Sequence, residues 1–146
     1  MTVNGKAYRT VWMEGGSVFM IEQNLLPFEF RIFEARSYPD TCDAIRTMVV
    51  RGAGALGAAA GFAMAQAFLE APAGNRLDFV THAKAEIDGT RPTAQNLFYA
   101  TQRVFEAGKV SAKNAVKKAR TIADKDAADS QAIGDFGNQL IKKGFR

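Results

Sequence analysis

The sequence predicts an α+β fold, with a small antiparallel sheet of about three strands first and a bundle of about six helices after it. Two observations carry this. Residues 1–36 are rich in aromatic and β-branched side chains broken by turn residues, whereas from residue 37 onward apolar residues recur at helical spacing. A third supports it: residues 55–69 are apolar all round, the mark of a helix covered on every side.

The elements follow in order. Residues 8–13 and 17–22 read as two strands joined by Glu14-Gly15-Gly16, a hairpin signal. Residues 28–35 alternate, with Phe28, Phe30 and Ile32 on one side and mostly charged residues on the other, so they form a third strand with one wet face. Asp40 or Thr41 can cap a short helix through Met48. Arg51-Gly52-Ala53-Gly54 interrupts the chain before the apolar helix 55–69. Residues 77–87 form the next helix, closed by Asp88-Gly89. After Thr90-Arg91-Pro92-Thr93, with Thr93 as cap, a helix has Leu97, Phe98, Thr101, Val104 and Phe105 on its core face and ends at Gly108. Residues 112–123 and 127–143 are the last two helices, the final one with a stripe of Ile133, Phe136, Leu140 and Ile141. The expectation is one domain over 1–146, with strands in 1–36 and helices in 37–146.

Composition narrows the function. One cysteine, Cys42, cannot form an internal disulfide, and one Cys with one His gives no metal cluster. No metal and no cofactor is expected, and a reducing, cytoplasmic setting is the simpler reading. Residues 52–69 are a candidate membrane span, with Gly57 and Gly61 spaced for helix packing, but Ala and Gly are too weakly hydrophobic and the run is short. A net charge of +4 is uneven. Lys109, Lys113 and Lys117 would line one helical stripe, yet no aromatic residue is interleaved and Asp124, Asp126 and Asp129 follow, so a solvated face fits better than a nucleic-acid interface.

Two loops stand out because each sets an arginine just before a helix: Val49-Val50-Arg51-Gly52-Ala53 and Thr90-Arg91-Pro92-Thr93-Ala94. A helix start leaves backbone N–H groups unpaired and carries the positive end of the peptide dipoles. Glycine lets a ligand approach that backbone, and a guanidinium matches phosphate oxygens. Each loop is a candidate anion site. Gly52, Gly54 and Gly57 also spell G-x-G-x-x-G, but the strands of a dinucleotide-binding unit are missing.

At these loops the sequence resembles the methylthioribose-1-phosphate isomerase family. Asp43-Ala44-Ile45-Arg46-Thr47-Met48-Val49-Val50-Arg51-Gly52-Ala53 looks like that family's A-I-x-x-M-x-V-R-G-A stretch. Thr90-Arg91-Pro92-Thr93-Ala94 followed by Asn96-Leu97-Phe98 looks like its T-R-P-T-A-x-N-L-F. Val11-Trp12-Met13-Glu14-Gly15, Ile21-Glu22-Gln23-Asn24-Leu25-Leu26-Pro27 and Ala132-Ile133-Gly134-Asp135-Phe136-Gly137 match as well.

The resemblance implies an aldose 1-phosphate to ketose 1-phosphate isomerisation in methionine salvage. It also implies substrate binding by Arg51, Gly52, Ala53 and Arg91, and a fold shared with regulatory subunits of a translation-initiation exchange factor. The family's catalytic cysteine and aspartate belong to a carboxy-terminal Rossmann-like domain, so no catalytic residue is expected in this chain. Partners implied are a sugar phosphate, that missing domain or a chain supplying it, and a second copy in a homo-oligomer. Cys42 matches no catalytic position, and Asp88 reads as a helix-end carboxylate. Gly54 stands where the family usually has proline, as ribose-1,5-bisphosphate isomerases tend to, so the particular sugar stays open. A non-enzymatic regulatory domain is the remaining alternative.

Overall fold

A computed structural model describes residues 2–141 and Gly144. Its sheet begins with β3 (Val11–Glu14) and β4 (Ser17–Ile21), preceded by a short pair, β1 (Thr2–Val3) and β2 (Lys6–Ala7). Gly15 and Gly16 both take positive φ and join β3 to β4, with Glu14 opposite Ser17 and Trp12 opposite Phe19. The two aromatic rings stack with centroids 5.7 Å apart. β5 (Ile32–Ala35) pairs with the other edge of β4, giving the antiparallel order β3-β4-β5.

The third strand is shorter than expected and shows the opposite face. Residues before it form a turn in which the N–H groups of Phe28 and Glu29 both donate to the Leu25 carbonyl, so they are lost to a ladder. Phe28 is 96% exposed. Ala35 lies opposite the buried Val18, and neighbours across a strand pair share a face. Phe33 and Ala35 therefore turn inward and Ile32 outward. The β1–β2 hairpin was not expected, although Asn4-Gly5, both at positive φ, is a strong turn signal.

Five helices complete the described residues, where about six were expected. They are α1 (Tyr38–Arg46), α2 (Ala53–Glu70), α3 (Arg76–Asp88), α4 (Gln95–Val110) and α5 (Ala112–Leu140). The last two expected helices are one. No glycine or proline interrupts residues 112–133, and Lys125 pairs with Asp129 at 2.6 Å across the expected break. α1 is capped earlier than expected: Ser37 Oγ accepts from the Asp40 N–H, and the Asp40 carboxylate accepts from the Ser37 N–H. Thr93 does not cap α4, whose N-cap is Ala94 with no side-chain acceptor. Gly108 does not end α4 either. It sits in the last turn because Phe68 of α2 packs there, and a Cβ would collide with the ring.

α2 is the central helix, with every residue from 56 to 68 buried, and it packs against the other four helices and the sheet. Its one buried polar side chain, Gln66, is fully bonded. Nε2 donates to the carbonyls of Gly16 and Ala35, and Oε1 accepts from the Thr41 hydroxyl at 2.7 Å. This bolts hairpin, β5 and α1 to the central helix. Among the described residues no helix is long and apolar enough to cross a membrane.

Candidate functional site

The first arginine loop begins where α1 stops. Met48 takes φ +61, its N–H donates to the Ile45 carbonyl, and the Val49 N–H reaches back to Ala44 O. This is a left-handed helix stop of the kind glycine usually makes. Val49 and Val50 then plug into the core, which leaves Arg51 exposed on the surface just before α2. Gly52, at φ +91, is the N-cap of α2 and offers no side-chain acceptor; Gly52 and Ala53 are both exposed. The guanidinium donates from Nη2 to Asn24 Oδ1 at 2.7 Å and from Nε to the Met48 carbonyl at 3.4 Å.

The second loop is anchored at its start. Asp88 accepts from Thr101 Oγ1 of α4 and from Lys84 Nζ, both at 2.6 Å, and Thr90 Oγ1 donates to Ile87 O. A turn from Arg91 to Ala94, closed by Ala94 N–H to Arg91 O at 3.0 Å, leads into α4. Among the described residues Arg91 has no side-chain partner, and neither Arg51 nor Arg91 is neutralised by a carboxylate.

Helix packing brings the two loops to one end of the molecule. A Cβ on Gly57 would lie 3.0 Å from the Asn96 carbonyl, and one on Gly61 would lie 3.6 Å from Ala100. Further along, Phe68 meets Gly108. Contacts thus advance together along both helices, so α2 and α4 run parallel with their starts side by side. Ser37 and Ser111 cap α1 and α5, whereas α2, α3 and α4 begin at Gly52, Asn75 and Ala94 without a side-chain cap, and of these the starts of α2 and α4 lie together. Two positive dipole ends and two sets of first-turn N–H groups therefore share one region.

A cavity of about 330 Å³ opens beside these starts, between Gly57, Asn96 and Tyr99 on one wall and Lys118, Ile122 and Asp126 on the other. The Asp126 carboxylate lies against Gly54, so a side chain at position 54 would run into it. A larger cavity, about 450 Å³, lies between residues 6–14 and Arg120 and includes neither arginine loop. Size alone does not point to the loops; charge and helix geometry do.

Other sequence candidates separate out. Cys42 is fully buried and burial pushes its thiol up to about 12, so it is no nucleophile. Asp88 is held by two partners and fastens α3 to α4. The lysine stripe is broken, because α4 ends at Val110 and Ser111 is extended, so Lys109 lies on a different helix from Lys113 and Lys117. Lys109 also pairs with Glu106 at 2.9 Å. The G-x-G-x-x-G run follows α1 rather than a strand, which removes the dinucleotide reading. Sequence reasoning missed Asn24 as the partner of Arg51; nothing local links two residues so far apart in the chain.

No family model matches the sequence. Over 92% of its length the chain is 40% identical to the methylthioribose-1-phosphate isomerase of Roseiflexus sp. (strain RS-1). The crystal structure of 5-methylthioribose 1-phosphate isomerase from Pyrococcus horikoshii OT3 superposes over 95% of this chain with a TM-score of 0.87 at 35% identity. The chain belongs to the methylthioribose-1-phosphate isomerase family. It matches the amino-terminal part only, spanning 42% of the Roseiflexus protein and 42% of the Pyrococcus chain. It is also similar to the translation initiation factor eIF-2B, subunit delta, from A. fulgidus, with a TM-score of 0.79 at 28% identity, covering 94% of this chain and 43% of that one.

Proposed function

We propose that this chain is the amino-terminal, phosphate-binding part of an aldose–ketose isomerase acting on a sugar 1-phosphate, with S-methyl-5-thioribose 1-phosphate as the first candidate. The side-by-side starts of α2 and α4 carry the reading. A phosphate placed there meets the unpaired N–H groups of Gly52 and Ala53 and the guanidinium groups of Arg51 and Arg91. Two arginines without acidic partners suit a dianion, since no ion pair to either guanidinium has to be broken first, although the Asp126 carboxylate lies one turn away against Gly54. The chemistry of ring opening and hydrogen transfer is assigned to a cysteine and an aspartate of the domain that follows in the longer relatives. The chain alone is therefore inactive in this reading, works in the cytoplasm and self-associates.

The test is a titration with inorganic phosphate followed by the amide signals of Gly52 and Ala53. Arg51→Ala and Arg91→Ala should each weaken binding about tenfold to a hundredfold, the effect of losing a charge-assisted hydrogen bond. Unchanged affinity in both variants would remove the reading. Adding the remaining domain of a relative as a separate polypeptide should then restore isomerase turnover. A chain that binds no phosphate and gains no turnover supports a second reading, a non-enzymatic regulatory domain, which the likeness to the initiation-factor subunit favours. Gly54 keeps ribose 1,5-bisphosphate as an alternative substrate, to be compared directly in the complemented assay.

A further inference from the structure

Arg51 sits on a connection without regular structure, residues 47–52, yet that connection is tied at three points to the segment leaving β4. Gln23 N–H donates to the Val49 carbonyl at 2.9 Å. Asn24 Nδ2 donates to the Thr47 carbonyl at 3.0 Å. Asn24 Oδ1 accepts from Arg51 Nη2 at 2.7 Å. Both ends of the Asn24 amide are thus committed, and only one orientation satisfies a carbonyl on one side and a guanidinium on the other.

We infer that Asn24 is a positioning residue that holds the Arg51 guanidinium ready for the phosphate. This rests on the reading of Arg51 as a phosphate ligand. The chemistry favours an amide for the task. A carboxylate at this position could accept from the guanidinium but not donate to the Thr47 carbonyl, and it would cancel the arginine's charge and repel the incoming anion, whereas the amide bonds to both and leaves the charge intact. Of the five guanidinium N–H groups, Nε and one on Nη2 are occupied by the protein, so both on Nη1 and the second on Nη2 remain for a ligand. Ordering a long side chain beforehand removes that entropic cost from the binding step.

The experiment uses the isotopically labelled chain, with inorganic phosphate as the probe, and compares Asn24→Ala, Asn24→Asp, Arg51→Ala and the Asn24→Ala/Arg51→Ala double variant. Asn24→Ala should weaken phosphate binding about two- to tenfold and raise the mobility of the Arg51 Nε signal, while its effect in the Arg51→Ala background should vanish. Asn24→Asp, which loses the donor to the Thr47 carbonyl and sets a negative charge beside Arg51, should weaken binding at least as much as Asn24→Ala. If Arg51→Ala weakens binding but Asn24→Ala does not, the positioning role is wrong and the phosphate reading stands. Equal losses from Asn24→Ala in both backgrounds would assign it to the fold instead. No loss from Arg51→Ala would overturn the phosphate role of Arg51 and this inference with it. Should Asn24→Ala fail to fold, the unmodified chain decides: an Arg51 Nε order parameter below about 0.6, in the flexible range, would overturn the inference.

Discussion

Gly57 of α2 lies against the backbone of Asn96 in the first turn of α4, so close that a side chain at 57 would make Asn96 give way by a few tenths of an ångström. This contact sets how closely the two helix starts approach. An added Cβ would stand 3.0 Å from a carbonyl oxygen and 3.2 Å from the Asn96 Cβ, and a backbone carbonyl cannot swing aside as a side-chain end can. Gly57→Ala gains about 1 kcal/mol of helix propensity against an overpacking cost of about 1–3 kcal/mol, so it should lower stability by up to about 2 kcal/mol and weaken phosphate binding, read by urea unfolding and by titration. A variant as stable as the unmodified chain, with unchanged affinity, would mean that the pairing of α2 and α4 has slack and does not fix the site.

That pairing also marks the limit of what the sequence discloses. The two arginine loops were legible locally, since each combines turn residues, an arginine and a following helix. Their meeting was not, because it depends on α3 returning the chain so that α2 and α4 run parallel. Ala55–Leu69 read as buried all round, and the central helix α2 is just that. Residues 124–126 were expected to separate two helices, yet Asp124, Lys125 and Asp126 are all tolerated in a helix and Lys125 bonds one turn ahead. The face of β5 was misread because the alternation of residues 28–35 starts in a turn, so its phase was set by residues outside the strand.

Met48 occupies a left-handed backbone position at φ +61 beside the Arg51 loop. A side chain there costs roughly 1–2 kcal/mol relative to glycine, and the buried Val49 and Val50 hold the residue in place. Met48→Gly relieves that strain but gives the unfolded chain more freedom. The expected net result is a gain of about 0.5–1 kcal/mol, since Met48 is 39% exposed and little packing is lost. Chemical denaturation measures it. A loss of more than about 1 kcal/mol would show that the Met48 side chain contributes packing beyond this backbone effect.

Cys42 offers a pH signature. Burial, reinforced by Glu86, raises its thiol from an ordinary 9.0 to about 12, so the fold favours the neutral form. The unfolded chain can ionise above pH 9 while the folded one cannot. The resulting stability is complete below pH 9 and is lost as pH climbs toward 12, with a limiting slope of about 1.4 kcal/mol per pH unit. Urea unfolding between pH 8 and 10.5 should show a steeper decline for the unmodified chain than for Cys42→Ala. Parallel declines would indicate that the thiol is not shielded. A thiol reagent should likewise react slowly until urea opens the core.

Beyond Ala123, α5 has no buried residue, and Ile133, Phe136 and Leu140 along it, with Ile141 just past its end, are 66–75% exposed. Their spacing places Ile133, Phe136 and Leu140 on one face, an apolar stripe with nothing against it among the described residues. The longer relatives have more than half of their length beyond the matched region, and a domain docked here would cover the stripe. Expressed alone, the chain should bind an apolar dye and associate with rising concentration. Replacing Ile133, Phe136 and Leu140 together by serine should abolish both while leaving the unfolding midpoint nearly unchanged, because these side chains touch little of the core. Adding the remaining domain of a longer relative should quench the dye signal of the unmodified chain but not that of the serine variant. A concentration-independent monomer without dye binding would show that the stripe is not an unfilled interface, and unchanged dye signal on adding the domain would show that the domain docks elsewhere.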